Sequence, residues 1–315
     1  MTKPESAHFR IHDLADGVWA AIATDGGAAI CNCGIVDLGG QTVVYDTTLT
    51  PHAGQDLRAA AETLTGRRVD WAINSHCHND HTWGNIAWEE TPILASARTR
   101  QLMAVEGPEE YRWSLAHAAG KLAAAQQEYE AASAEKRAEL LLWLGEYQGI
   151  VDALPGLTLR LPDLTFDQRA TLHGDRRCAE LITFAGGHTG SDTVLFLPQD
   201  GVVFASDLLF VGFHPYLGDG EPERLVDALG QMGAWAASTF VPGHGPVGGR
   251  EDVEQLAAYV ERLLDLGATL VAERGTGYAD GLESVPVPES FQSWRLGRFF
   301  RANLRHVCER LTRGL

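Results

Sequence analysis

The stretch Ser75-His76-Cys77-His78-Asn79-Asp80-His81 decides the fold. It follows an apolar run, Val69 to Asn74, that reads as a short buried strand. Three imidazoles and one carboxylate fall within six residues. Neutral imidazole and carboxylate are ligands for zinc, iron or manganese. A tight loop after a strand aims all four side chains into one space. His76 and His78, two residues apart, can share one ion. Asp80 and His81, beyond the turn, are placed for a second. Cys77 alternates away from the two histidines and reads as a buried thiol.

Working outward, the chain supplies single residues at further strand ends. His188 follows Ala185-Gly186-Gly187, where glycines let backbone approach a crowded site. Asp207 closes the apolar run Val202 to Ser206. His244 stands between Gly243 and Gly245 after Val241-Pro242. Asp46 ends the strand pattern Thr42 to Tyr45. Each has an ordinary reading alone, as a loop histidine or a capping aspartate. Beside the first string, His188, Asp207 and His244 become ligand candidates, because they share one topological position.

The remaining pattern is α/β. Strand-like runs occupy Val18 to Thr24, Ala29 to Val36 and Pro92 to Ala95, with Pro51 to Leu64 helical. Strands return at Leu157 to Leu161, Arg169 to Leu172, Ala179 to Phe184, Thr193 to Leu197 and Val202 to Ala205. Helices follow at 221–237, 251–272 and 290–313, with a short strand at Phe240-Val241. Between about 97 and 152 the chain is rich in Ala, Glu, Gln and Leu. It reads as a helical insertion of two or three helices, with 123–144 as one long helix and a break near Gly120 or Gly145. Two halves, each strand-rich and then helical, predict sheets packed face to face with helices outside.

The ordered set His76-x-His78-x-Asp80-His81, His188, Asp207 and His244 resembles the metallo-β-lactamase superfamily, over about residues 15–250. The resemblance implies a four-layer αβ/βα sandwich with metals at one edge of the two sheets. It implies one domain over 1–315, including the insertion at about 97–152 and C-terminal helices at about 251–313. It places His76, His78 and His188 on one metal, Asp80, His81 and His244 on a second, and Asp207 between them. Asp46 resembles the family's early acidic motif and would orient the metal loop from outside the ligand set. The expected cofactor is two Zn²⁺, with iron or manganese as the alternative. Two such ions about 3.5 Å apart share a water and lower its pKa towards 7. The expected enzyme is a metal-dependent hydrolase whose bridging hydroxide, oriented by Asp80, cleaves an ester, lactone, thioester or β-lactam-type bond in a small molecule. A persulfide-dioxygenase-like oxidoreductase using one iron on His76, His188 and Asp207 is the rival. The bridging Asp resembles the glyoxalase II, lactonase and RNase Z branches rather than dedicated zinc β-lactamases.

Composition narrows partners. The 315 residues carry 42 Asp and Glu against 25 Lys and Arg, a formal charge of −17. That field repels phosphate backbones and anionic membranes, so neither nucleic acid nor membrane is expected. The polar start, 1–10, lacks the apolar core of a secretory signal, which predicts a cytoplasmic protein. Five cysteines are too few and too odd in number for a disulfide scaffold. The segment 289–315 holds six Arg against two Glu and is expected to pair with the chain's own acidic surface.

Around the metals, Trp83, Asn85 and Phe210 are candidate pocket residues. Quorum-signal lactonases of this superfamily carry Tyr where Phe210 stands, which weighs against that activity. His214 and Tyr216 are candidate oxyanion donors or substrate contacts. The insertion is expected to act as a lid or as a homodimer face.

Overall fold

The structure is a computed structural model that describes residues 3–313. Strands β1 (Phe9–Ala15), β2 (Val18–Ala23), β3 (Cys33–Asp37) and β4 (Thr42–Tyr45) lead into α1 (Pro51–Thr65) and β5 (Trp71–Ile73). A single turn, α2 (Asn79–Thr82), precedes β6 (Ile93–Ser96). Then come α3 (Ala97–Ala131), α4 (Ala134–Ala153) and β7 (Leu164–Phe166). The second half runs β8 (Arg169–His173), β9 (Cys178–Phe184), β10 (Asp192–Leu197), β11 (Val202–Phe210), α5 (Pro222–Gly233), β12 (Thr239–His244), α6 (Arg250–Arg274) and α7 (Arg298–Thr312).

Two mixed sheets result. The first has seven strands in the order β1-β2-β3-β4-β5-β6-β7, antiparallel as far as β4 and parallel beyond it. The second runs β12-β11-β10-β9-β8, with only β11 and β12 parallel. Alternation along buried strands sorts side chains into layers. In β4, Val43 and Tyr45 meet the second sheet, while Val44 packs towards α1. In β11, Val202 and Phe204 face the first sheet, while Val203 and Ala205 face α5 and α6. The four layers are therefore helix, sheet, sheet, helix, an αβ/βα sandwich.

The sandwich closes tightly at Gly34. A Cβ built there would lie 2.7 Å from the Phe204 ring across the sheet interface, so only glycine leaves room.

The insertion leaves after β6 and returns before β7, which are neighbours in the first sheet. Its break falls at Ala132 and Ser133, not at Gly120 or Gly145, and 123–144 is not one helix. Ser133 caps α4 by accepting from the Lys136 amide, which stops α3 and starts a new helix. Gly145 instead lets α4 touch the Gly26-Gly27 turn, since a Cβ there would meet Gly27 O at 2.4 Å. Two further expectations are corrected. Leu157 to Leu161 is irregular, with the strand falling instead at Leu164–Phe166, and Arg160 within it donates to the carbonyls of Asn85, Trp88 and Thr91. Ala29 to Asn32 is not strand either, since Ile30 adopts φ 66° and Asn32 turns its amide towards the second sheet.

The close approach at Gly34 yields a stability prediction. Gly34→Ala should destabilise the fold by about 1–3 kcal/mol through overpacking against Phe204. Urea unfolding checks this; a midpoint at or above that of the wild-type chain would refute it.

Candidate metal centre

All seven ligand candidates meet at one edge of the sandwich, where strands of both sheets end. The string after β5 delivers His76, His78, Asp80 and His81. The β9–β10 loop delivers His188, β11 delivers Asp207 and β12 ends on His244. Donor atoms of His76, His78, His188 and Asp207 all lie within 4.8 Å of one another, as do those of Asp80, His81 and His244.

The contacts within the cluster suit a cation. His78 Nδ1 lies 3.1 Å from His76 Nε2 and 3.0 Å from His188 Nε2. Three imidazole nitrogens cannot all satisfy one another with protons. Asp207 Oδ2 lies 3.1 Å from His188 Nε2, while its Oδ1 lies 3.2 Å from His81 and 3.4 Å from His244. Its two oxygens thus face the two donor groups. Although 3.2 Å apart, His81 Nε2 and Asp207 Oδ1 are not aligned for a hydrogen bond, and both are buried without a hydrogen-bond partner. A buried polar atom left unpaired is costly, and a divalent ion between these donors removes that cost. The residues present therefore fit a metal centre.

Asp46 holds the cluster from behind. Its Oδ1 accepts from the Ser75 amide at 2.8 Å, and its Oδ2 accepts from Ser75 Oγ at 2.8 Å and Ser206 Oγ at 3.0 Å. The same Oδ2 lies 2.8 Å from His81 Nδ1, which leaves His81 Nε2 for the centre. Positive φ at Asp46 (61°), Thr48 (73°) and Ser206 (48°) concentrates backbone strain around this contact. Asp219 does the same for His78, with Oδ2 3.1 Å from its Nε2.

Charge interactions follow the two groups. Burial opposes ionisation of Asp80 and Asp207, yet neighbouring histidines hold both carboxyls well below the usual carboxylate range. Burial likewise opposes a cation on His244, but Asp207 and Asp80 push it up to about 10. His76, buried among His81 and His78, is held well below the ordinary histidine range.

A cavity of about 330 Å³ opens over the centre. Phe210 and Tyr216 line it, as the sequence suggested, together with Ile30, Phe213, Leu296 and Phe299. The insertion forms its far wall through Glu110, Leu142, Trp143 and Glu146. Among the described residues, no Lys or Arg lines this cavity. Burial and then Asp80 push Glu110 up to about 8 and Glu146 up to about 7, the latter partly offset by Arg298 and Lys121. A wider groove of about 830 Å³ shares only Trp143 and Phe299 with it and contains none of the ligand candidates.

Three expected pocket residues lie elsewhere. His214 is buried and stands 2.9 Å from Tyr259 Oη inside a cage with Trp294 and Phe300, so it is not an oxyanion donor. That burial lowers its pKa to about 4, keeping it neutral. Trp83 packs on Leu49 and Tyr111 beneath the insertion. Asn85 donates to Asn74 Oδ1 and Arg160 O and holds the loop rather than a substrate. Glu110, Glu146 and Asp219 escaped the sequence reading. Only the Gly218-Asp219-Gly220 turn carried any local signal, because the two glutamates sit in helices rich in acids.

The site belongs to the class of metal-dependent hydrolases. A family model for the metallo-β-lactamase superfamily matches residues 26–266, and the chain belongs to that superfamily. Solved structures agree in fold. A metallo-β-lactamase from Pontibacter korlensis matches with TM-score 0.58 and 17% identity, covering 80% of this chain and 99% of its own. The metallo-β-lactamase FIM-1 from Pseudomonas aeruginosa, in a mono-zinc form, matches at 0.57 and 18%, covering 83% and 98%. One from Erythrobacter litoralis, with β-mercaptoethanol in its active site, matches at 0.58 and 18%, covering 82% and 98%. No described helix is long and apolar enough to cross a membrane.

Asp46 offers the sharpest test of this architecture. Asp46→Asn should lower metal affinity about 10–100-fold, the usual cost of removing a ligand's outer partner. Metal titration with a chromophoric chelator reads it; unchanged affinity would show that His81 needs no such support.

Proposed function

We propose that the chain is a dinuclear zinc hydrolase of a small molecule that is neutral or cationic and carries an apolar body. The observation that supports two ions is the pair of complete donor groups, with one Asp207 oxygen towards each. His76, His78 and His188 would hold one ion, Asp80, His81 and His244 the other, and Asp207 both. When bound, the ions supply Lewis acidity toward the scissile bond and an acidified water as nucleophile. The mononuclear iron alternative needs only His76, His188 and Asp207, and leaves the second group without a purpose.

The chain's own residues do the rest. Asp80 lines the cavity with its Oδ2 3.4 Å from His81 and 3.3 Å from His244, and would accept a hydrogen bond from the attacking water and orient it. Tyr216 stands on the wall with its ring 6.1 Å from that of His78 and 6.3 Å from that of His188. Burial and Asp219 push its phenol up to about 12, so it keeps its proton at neutral pH and can donate to a developing oxyanion. Phe210 stacks on His244, ring centroids 5.1 Å apart, and offers the substrate an apolar surface. Among the described residues no Lys or Arg lines the cavity to receive an anionic tail, and Glu110 and Glu146 on its far wall, pushed up to about 8 and about 7, add negative charge against one as pH rises through those values.

Three measurements test this reading. Elemental analysis of protein purified without added metal should find about two zinc ions per chain; about one iron with little zinc would favour the oxygenase. A panel of esters, lactones, thioesters and β-lactams should show preference for amine-bearing or neutral members over carboxylate-bearing ones, and above about pH 8, where both glutamates are ionised, Glu110→Gln with Glu146→Gln should narrow that gap. Preference for anionic substrates would refute the charge argument. Tyr216→Phe should lower kcat about 10²–10³-fold, the usual cost of an oxyanion donor, with metal content unchanged. An unaltered kcat would remove Tyr216 from the chemistry.

A further inference from the structure

His244 is tied to the chain just past the neighbouring β11 through its carbonyl, which accepts from the Val211 amide at 3.2 Å. It is the last residue of β12 and is followed by Gly245, at φ 105°. The backbone around it must also pass very close to the centre. A Cβ at Gly243 would lie 1.8 Å from Asp207 Oδ1, and one at Gly245 would lie 2.2 Å from Val211 O. The two glycines allow the approach but do not hold it, since glycine is the most conformationally free residue.

Asn32, just before β3 of the first sheet, makes three hydrogen bonds to this segment and a fourth to β2. Its Nδ2 donates to Pro242 O at 3.0 Å and to Gly245 O at 2.8 Å. Its backbone N–H donates to Gly243 O at 2.8 Å. Its Oδ1 accepts from the Ala23 amide at 2.9 Å, which ties the side chain to β2. Asn32 is 3% exposed, so these bonds do not compete with water. The carbonyls it binds flank His244 on both sides. The irregular segment that carries Asn32 also sends Ile30 into the cavity wall at φ 66°, a conformation costly for a β-branched residue. Strain of that kind persists only where surrounding contacts impose it.

We infer that Asn32 is a positioning residue for the second metal ion, a hook from the first sheet that sets the reach of His244 without touching the metal. The inference rests on the dinuclear reading above. None of the side-chain bonds of Asn32 reaches the segments that carry His76, His78, Asp80, His81, His188 or Asp207. Its side-chain bonds therefore act on the segment that carries His244.

Asn32→Asp keeps the shape of the side chain but turns a donor that serves two carbonyls into an acceptor that repels them. The test is a titration of metal-depleted protein with Co²⁺, followed by its visible absorption, on the wild-type chain, Asn32→Asp and His244→Ala. Circular dichroism and thermal melting confirm the fold, and Asn32→Ser, small and neutral, stands in if the aspartate variant does not fold. The wild-type chain should take up two ions. Asn32→Asp should bind the first as tightly as the wild type and the second about 10–100-fold more weakly, in the direction of His244→Ala, as loss of a ligand's outer support does elsewhere. Two ions bound with wild-type affinities in both Asn32 variants would overturn the inference. So would equal weakening of both steps, which a general loss of stability would produce. A single ion at saturation in the wild-type chain would overturn the dinuclear reading itself, and the inference with it.

Discussion

Everything at the sheet edge depends on one constraint: donors that repel or orphan one another are buried together. Two imidazole nitrogens, His76 Nε2 and His188 Nε2, converge on His78 Nδ1, and Asp207 presents Oδ1 without a hydrogen-bond partner. Such an arrangement costs several kcal/mol if left to protons alone. The fold accepts that cost through a rigid frame. Asp46, Ser75 and Ser206 lock His81 from behind, and positive φ at Asp46 and Ser206 shows backbone bent to serve the contact. Local strain and unpaired polar atoms thus occur where a cation is needed.

That frame explains the architecture. Ligands come from loops or strand ends of two different sheets, so the sheets must keep a fixed relation. Two interleaved features secure it. Gly34 lets the sheets close against the Phe204 ring, and Tyr45 Oη donates across to Thr193 O at 2.6 Å. The second sheet rests in turn on α5, α6 and α7 through one continuous apolar cluster. Arg310 of α7 pairs with Glu221 and Glu223, and Arg295 just before α7 pairs with Asp25, so part of the basic C-terminal segment does meet the chain's own acids.

The insertion turns a generic metal edge into a particular cavity. Helix α4 leans on the Gly26-Gly27 turn through Gly145 and brings Leu142, Trp143 and Glu146 over the centre. The ligand candidates and the far wall of the cavity therefore come from different parts of the chain: the former from sheet-edge loops and strand ends, the latter from helices α3 and α4 and the segment around Leu296 and Phe299.

The ligand set and the sandwich were legible in the sequence, because metal chemistry restricts residue type and because apolar alternation reports burial. His76 to His81 lie in one loop, so their spacing alone points to a shared ion, and Asp46, His188, Asp207 and His244 each follow a recognisable strand. The helix break at Ser133 was obscured by an alanine-rich stretch in which the capping serine is a weak signal. The cavity was not legible at all. Glu110 and Glu146 lie 36 residues apart and Ile30 lies 80 and 116 residues before them, and nothing in their neighbourhood marks them as facing a common space. His214 shows the converse: its position after Asp207 suggested a substrate contact, but packing against Tyr259 and Trp294 turned it inward. The sequence by itself determined which atoms can bind metal and which strands carry them, since both follow from local chemistry. Only the tertiary structure decided what surrounds the metals, because a cavity wall is a relation between distant segments that no local pattern encodes.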